Sequence, residues 1–134
     1  MHVPMAYARV HTSEGKTLMK HSGSCHCGKV AFDVEGDIQE VTDCNCSLCR
    51  RRGGLLWFGP REALTLKTPE SDLSTYTFNK HHIQHRFCAT CGVALFGEAD
   101  HPKTGTKMLA VNVRCLPDVD LKTLKVNEFD GASL

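Results

Sequence analysis

The sequence predicts a mainly β domain, and two features of the chain carry that prediction. Short apolar runs recur along the chain, often alternating with polar residues, and Gly, Pro, Asn and Asp separate them at close intervals. No stretch keeps the helical repeat of apolar residues over three turns. We therefore expect short strands that pack as small antiparallel sheets, with few helices.

The composition is that of one globular domain with an even charge balance. Of the 134 residues 41% are hydrophobic, and 16 Lys and Arg residues oppose 15 Asp and Glu residues. A domain of this length can bury a modest core. The even charge argues against broad binding to nucleic acid or membrane surfaces, and no apolar run reaches the length of a membrane span. We expect no nucleic-acid partner and no membrane partner.

The eight cysteines require an explanation by disulfides or by metal. The first twenty residues have no basic-then-apolar order and no uninterrupted apolar core, so they do not resemble a secretory signal. Thiols stay reduced in the cytoplasm, where clustered cysteines more often hold metal than form disulfides. The sequence therefore predicts a cytoplasmic, metal-binding protein.

The start of the chain predicts a loose lead-in followed by a strand. Residues 1–21 show no clear period, so we expect the folded, metal-binding domain to cover residues 22–134. Val30, Phe32 and Val34 then alternate with polar residues, as expected of a strand with one buried face.

Further strands are expected where turn residues bound an apolar or alternating run. These runs lie at residues 55–58, 64–66, 76–78, 93–96 and 108–116. Residues 61–64 predict one turn of helix, and residues 97–106 predict a turn-rich loop. Trp57 and Phe58 are assigned to the core, because large apolar side chains are usually buried.

Two of the three cysteine motifs form one predicted site. Cys25 and Cys27 stand two residues apart, Cys88 and Cys91 form a CxxC pair, and a glycine follows each motif directly. That glycine permits the tight backbone turn of a zinc knuckle. Two such half-sites, far apart in sequence, predict a closed four-thiolate zinc site that joins distant strands.

The third motif is the triplet of Cys44, Cys46 and Cys49. Its spacing lets three sulfurs converge on one zinc ion and leaves the fourth tetrahedral position open for a thiol or a reacting group. In a competing interpretation Cys115 completes a second closed site, although a cysteine in an apolar strand usually behaves as a small buried hydrophobe. A third interpretation is a triplet that is vacant or oxidised.

The order of the motifs resembles that of one enzyme family. The segments GSCHCG, CNCSLCRRRGG, FCATCG and VNVRCL, followed by a terminal DG, resemble the glutathione-dependent formaldehyde-activating enzyme family, whose relatives include the centromere protein V domain. The resemblance covers about residues 22–133. It implies a β-tent fold of packed small sheets. It also implies two zinc ions. By this resemblance the structural ion is held by Cys25, Cys27, Cys88 and Cys91, and the catalytic ion is held by Cys44, Cys46 and Cys49.

The resemblance implies a carbon–sulfur lyase that reversibly joins glutathione and formaldehyde to S-hydroxymethylglutathione. Glutathione is then the co-substrate, and its thiol enters the open zinc position, where the metal lowers the thiol pKa. Arg50, Arg51 and Arg52 could bind the carboxylates of glutathione, while a solvated turn accounts for the same run equally well. The chain departs from the family at Asn45, where His is common, so any acid–base role there is absent.

Two other functions remain compatible with these residues. One is a carbon–sulfur lyase that acts on another thiol adduct, and the other is a zinc-binding interaction module without enzymatic activity. His81, His82 and His85 are candidates for a proton relay or for metal binding, although histidines on exposed hairpins usually do neither. The partners expected of the enzyme are a small thiol and an aldehyde, and the sequence predicts no oligomeric state.

Overall fold

The computed structural model describes residues 8–11 and 17–133, and these residues form a mainly β structure. The strands are β1 Ala8–His11, β2 Thr17–Ser24, β3 Ala31–Glu35, β4 Glu40–Cys44, β5 Leu56–Pro60, β6 Leu64–Leu66, β7 Leu73–Tyr76, β8 Gln84–Cys88, β9 Ala94–Asp100, β10 Lys107–Asn112 and β11 Lys125–Phe129. Within the described residues one α-helical turn, α1, spans Cys49–Arg52. Short 3₁₀ turns span Arg61–Ala63, Glu70–Asp72, Val113–Cys115, Leu121–Thr123 and Gly131–Ser133. The predicted mainly β fold with few helices is confirmed.

The strands form two sheets of unequal size. The smaller sheet has the order β1-β2-β3-β6 and is antiparallel throughout. The larger sheet has the order β11-β4-β5-β10-β9-β8-β7 and is antiparallel except where β11 runs parallel to β4. A parallel pair needs a long connection between its strands, and most of the domain separates β4 from β11. The sequence predicts antiparallel sheets, whereas this larger sheet is mixed because of the one parallel pair.

One contiguous core contains side chains from both sheets. Val30, Phe32 and Val34 are fully buried, so the predicted apolar face of β3 is confirmed. Phe32 meets Phe96 of β9 edge to face, with ring centroids 6.2 Å apart. Burial of each such side chain stabilises the fold by roughly 1.5–3 kcal/mol, so this layer holds the sheets together.

The sequence predicts a loose lead-in over residues 1–21, but the described residues of that stretch form strands. Ala8–His11 forms β1, and β2 begins at Thr17 and pairs with β3. His21 in β2 is 1% exposed, and its Nδ1 lies 3.2 Å from Oδ2 of the buried Asp118. Strand pairing and a polar contact therefore order a stretch that has no apolar period. Residues 1–7 and 12–16 lie outside the described residues, and the boundary at residue 22 stays a prediction.

The predicted start of one loop and the predicted end of one strand are corrected by the structure. β9 runs to Asp100 because residues 97–100 pair with β10, so the predicted loop begins at His101. The predicted strand over residues 108–116 ends at Asn112, whose side chain accepts a hydrogen bond from the Arg114 amide and so begins a 3₁₀ turn. Within residues 8–11 and 17–133 no helix is long and apolar enough to cross a bilayer.

Candidate metal centres and the adjoining cavity

Four cysteine sulfurs from two distant turns meet in one cluster. Cys25 and Cys27 follow β2, Cys88 ends β8, and Cys91 lies in the turn after β8. The four Sγ atoms lie within 4.8 Å of one another, with 3.6 Å between Cys25 and Cys27 and 3.7 Å between Cys27 and Cys88. Zinc–sulfur bonds of about 2.3 Å in a tetrahedron require sulfurs about 3.8 Å apart. The donor set therefore fits a closed zinc site.

The two turns of this cluster share one backbone design. In each, the amide of the first cysteine donates to the carbonyl five residues later, at 3.0 Å for Cys25 and 3.1 Å for Cys88. Gly28 and Gly92 have φ values of 83° and 81°, in the left-handed region that favours glycine. The amide of Thr90 also donates to Cys88 Sγ at 3.3 Å. Such amide donors stabilise the thiolate form that zinc requires.

The same effect is strongest at the last cysteine of the cluster. The backbone N–H groups of Cys27 and Val93 donate to the sulfur of Cys91 and lower its pKa to about 6. These hydrogen bonds therefore favour the thiolate form of Cys91. A deprotonated sulfur is the form that binds zinc.

Cys44, Cys46 and Cys49 form the second cluster. Cys44 ends β4 and Cys49 begins α1, and the turn between them brings the three Sγ atoms within 4.8 Å of one another. The amide of Cys46 donates to Cys44 Sγ and the amide of Cys49 donates to Cys46 Sγ, both at 3.4 Å. Among the described residues no other Cys, His, Asp or Glu joins this group. Three sulfurs fit one zinc ion with a position left for another ligand.

Burial and hydrogen bonding act in opposite directions on these thiols. Burial raises the pKa of Cys46, but the amide of Cys49 and further hydrogen bonds outweigh it, so the pKa lies below its ordinary value. Burial raises the pKa of Cys49 to about 12, and the neighbouring thiols of Cys44 and Cys46 act in the same direction. Three adjacent thiolates therefore need a cation to ionise together, as zinc would provide.

Cys115 lies apart from the triplet. Its Sγ donates to the Ala94 carbonyl at 3.4 Å. Burial raises its pKa to about 11, with smaller contributions from Cys25 and Cys91 of the first cluster. Its position does not support the competing interpretation in which Cys115 closes the triplet site.

A cavity of about 270 Å³ adjoins the triplet, and all three of its cysteines line it. Most of the other lining side chains are apolar: Leu48, Leu56, Phe58, Phe78, Ile83, Ala94, Leu95, Phe96, Ala110 and Phe129. Among the described residues Arg52 is the one lining side chain with a permanent charge, and no carboxylate lines the cavity. The cavity thus combines a three-thiol cluster, an apolar wall and a single cation.

The cysteine clusters and their order along the chain agree with a comparison against protein families. The model of the glutathione-dependent formaldehyde-activating enzyme family matches residues 20–127. The chain belongs to this family. The resemblance predicted from the cysteine motifs is thereby confirmed, and the fold is the β-tent expected of the family.

A solved structure has a fold similar to that of this chain. The crystal structure of a Rhodobacter sphaeroides protein, a Northeast Structural Genomics target, is similar to this chain with a TM-score of 0.67 and 28% sequence identity. The similarity covers 79% of this chain and 99% of that one. The fold of that protein therefore extends over most of this chain.

Of the three consecutive arginines that are candidates for binding glutathione carboxylates, only Arg52 lines the cavity. Its guanidinium lies 5.7 Å from the ring centroid of Phe87. All three arginines are exposed, and Arg51 Nη1 donates to the Ser47 carbonyl at 2.7 Å. Successive residues of a helical turn point about 100° apart, so one short turn cannot direct all three to the same place. Glutathione binding stays a prediction, and Arg52 is best positioned for it.

Of the three candidate histidines, only His85 lines the cavity beside the triplet. Its ring stacks on Phe78, with centroids 5.5 Å apart. Burial lowers the pKa of His85, and the nearby Arg52 lowers it further. His81 and His82 are exposed, and His81 Nδ1 lies 2.8 Å from Thr77 Oγ1. The signal that separates His85 is its place inside β8 rather than in the preceding turn.

The assignment of Phe58 to the core is wrong. Phe58 is 53% exposed and lines the cavity. Trp57 points to the other face of β5, because side chains alternate along a strand. There its ring packs so closely on Gly36 and Gly59 that a Cβ at either glycine would lie 2.5 Å from it. Of the two residues assigned to the core, only Trp57 therefore packs against it.

The C-terminal segment covers part of the triplet. Asn45 Nδ2 donates to Asp130 Oδ1, and Asn45 Oδ1 accepts from the Ala132 amide, both at 3.0 Å. A Cβ at Gly131 would lie 2.6 Å from Cys44 Sγ. Asn45 therefore holds Asp130 and Gly131 against the cluster. Sequence reasoning missed this role, because the contacting residues lie at opposite ends of the domain.

Proposed function

We propose that this protein is a zinc-dependent carbon–sulfur lyase that reversibly condenses glutathione with an aldehyde, the family's namesake aldehyde being formaldehyde. The observation that carries the proposal is the triplet of Cys44, Cys46 and Cys49, which lines a cavity and has room for one further ligand. A purely structural zinc site is closed, whereas a catalytic one keeps a position for substrate. Membership of the family makes a thiol the expected occupant.

The reaction forms one carbon–sulfur bond without oxidation or reduction. The thiol releases its proton, its sulfur adds to the carbonyl carbon, and the π electrons move to the carbonyl oxygen, which takes up a proton. A zinc ion held by Cys44, Cys46 and Cys49 would supply a cation that lowers the pKa of the incoming thiol. The chain's part is to hold both reactants in the cavity, where orientation replaces a bimolecular encounter.

Two side chains of the cavity have roles in this proposal. Arg52 binds a carboxylate of glutathione, because a guanidinium fork matches that group and no carboxylate of the described residues competes with it in the cavity. His85 carries the proton between the thiol and the carbonyl oxygen. Burial favours its neutral form, which is the form that can accept a proton.

The proposal assigns two zinc ions to each chain. Cys25, Cys27, Cys88 and Cys91 hold the structural ion, and the triplet holds the catalytic one. All eight cysteines are free in the structure, and the predicted cytoplasmic location is part of this proposal because a reducing compartment keeps them free.

The test compares Cys46→Ser with the unaltered protein. We expect two zinc ions per chain by elemental analysis, falling to one in the variant. Exchange NMR of ¹³C-formaldehyde with glutathione should show catalysed interconversion that the variant loses. Cys115→Ala is the matched control, because Cys115 lies in neither cluster, and it should keep both ions and the activity. Loss of one ion with unchanged exchange would instead favour a zinc-binding interaction module.

A second pair of variants tests the glutathione site. Arg52→Gln should weaken glutathione binding roughly ten- to a hundredfold, as expected for loss of a hydrogen bond to a charged group. Arg51→Gln removes the same charge from an exposed neighbour and should leave the affinity unchanged. Calorimetric titration of both zinc-loaded variants measures the difference. Equal losses would indicate a general electrostatic effect rather than a specific contact.

A further inference from the structure

We infer that the aldehyde this protein takes carries an apolar chain or ring, and that formaldehyde fills little of its site. The inference rests on the proposed condensation of a thiol with an aldehyde and specifies the class of aldehyde. The first observation is size. The cavity beside the triplet holds about 270 Å³, whereas one water molecule takes about 30 Å³ of liquid volume. The thiol takes part of this space, and an aldehyde with two heavy atoms would contact little of the lining that the thiol leaves.

The second observation is the character of the wall. Phe58, Phe78, Ile83 and Phe129 line the cavity and come from three segments of the chain: β5, the connection between β7 and β8, and β11. Three of them are about half exposed: Phe58 at 53%, Ile83 at 46% and Phe129 at 48%. Single exposed apolar residues are ordinary, but several that converge on one cavity mark a surface that an apolar ligand covers. Formaldehyde has no group that could cover them.

The third observation is that few polar groups of the lining are open to a ligand. Asn112 Nδ2 donates to the Ala94 carbonyl at 2.9 Å, and its Oδ1 accepts from the Arg114 amide at 3.2 Å. Arg52 therefore remains as the anchor for one anionic group. A thiol with a carboxylate satisfies Arg52 and the cysteine cluster, and the apolar wall is left for the aldehyde's substituent.

The bond-forming step is the same for any aldehyde R–CHO. The thiol sulfur adds to the carbonyl carbon, the C=O π pair goes to oxygen, and oxygen takes the proton that the thiol loses. The group R takes no part in the bonding, so its contacts with the wall change affinity and orientation only. Each methylene that it buries should favour binding by about fourfold.

Exchange NMR with glutathione tests the inference by comparing ¹³C-labelled hexanal and formaldehyde on the zinc-loaded protein. The measured quantity is the acceleration over the spontaneous rate, which removes the different intrinsic reactivities. We expect an acceleration for hexanal at least about tenfold greater than for formaldehyde. Equal or greater acceleration of formaldehyde overturns this inference and leaves the proposed function standing. No acceleration of either aldehyde with both zinc sites loaded overturns the proposed function and the inference with it.

Binding of stable thioethers gives a readout independent of turnover. S-hexylglutathione should bind at least about tenfold more tightly than S-methylglutathione, because the hexyl chain contacts the apolar wall. Phe58→Ala should reduce that preference, and this exposed position allows the change without a core defect. Met108→Ala is the matched control, since Met108 is 40% exposed and lies outside this lining. Equal binding of the two thioethers, or an unchanged preference in Phe58→Ala, contradicts the inference.

Discussion

The side chain of Asn45 donates a hydrogen bond to Asp130, from Nδ2 to Oδ1 at 3.0 Å. Asn45 lies between Cys44 and Cys46, while Asp130 follows β11 near the end of the chain. Asparagine neither ligates zinc usefully nor titrates, yet here it fixes the C-terminal segment beside two cysteines of the triplet. Asn45 therefore has a structural role at the triplet.

Removal of this contact should loosen the end of the chain. In Asn45→Ala both hydrogen bonds to residues 130–132 are lost, so the Ala132 amide should exchange with solvent at least about tenfold faster. Hydrogen-exchange NMR measures this. Asn127→Ala is the control, because it removes a bond from β11 to Glu40 farther from the cluster. Unchanged exchange at the Ala132 amide in Asn45→Ala would show that other contacts hold the segment.

Gly131 should be intolerant of a side chain. A Cβ there would lie 2.6 Å from Cys44 Sγ and 3.1 Å from Cys46 Cβ, so either the cysteines or the segment must move. We expect Gly131→Ala to weaken zinc binding at the triplet roughly 10–100-fold, as for other changes that displace a ligand. Competition with a chromogenic chelator measures it. Ala132→Ser, at the exposed neighbouring position, should leave the affinity unchanged, and equal affinities in both variants would contradict the prediction.

The pKa of His85 should respond to Arg52. Burial lowers this pKa first and the Arg52 charge lowers it further, so Arg52→Gln should raise it part of the way to the ordinary value. NMR titration of the imidazole protons measures the shift, and Arg51→Gln should produce none.

The same lowered pKa has a consequence for stability. The unfolded chain binds the His85 proton at a higher pH than the folded chain does, so this group disfavours folding as pH falls from the ordinary histidine pKa to the lowered one. His85→Phe should flatten that part of the pH dependence of the unfolding free energy. A profile identical to that of the unaltered protein would contradict it.

The two cysteine clusters should differ in what they contribute to folding. Cys88 is fully buried and its cluster joins the turn after β2 to the end of β8, whereas the triplet lies within one local turn. Structural zinc sites contribute to folding directly. Cys88→Ser should therefore lose its cooperative thermal unfolding transition, while Cys46→Ser keeps one. Comparable transitions by circular dichroism and calorimetry in both variants would contradict this division.

Local patterns were sufficient for the fold class and for the groups of cysteines. The alternation of Val30, Phe32 and Val34 identified a buried strand face, since the period of a strand is set by its own backbone. The CxC and CxxC motifs, each followed by a glycine, identified two half-sites because the knuckle is built within six residues. The pairing of the half-sites also followed, since a tetrahedral ion needs four sulfurs.

Only the tertiary structure decided which side chains surround the triplet. Arg52 rather than Arg50 or Arg51 lines the cavity, Phe58 faces it rather than the core, and Asn45 finds its partners in the C-terminal segment. The partners of Asn45 depend on the direction of β11 beside β4, and the positions of Arg52 and Phe58 depend on the face that their own segments present to the cavity. Local residue spacing carries no information about either, because both are set by pairing between segments far apart in the chain.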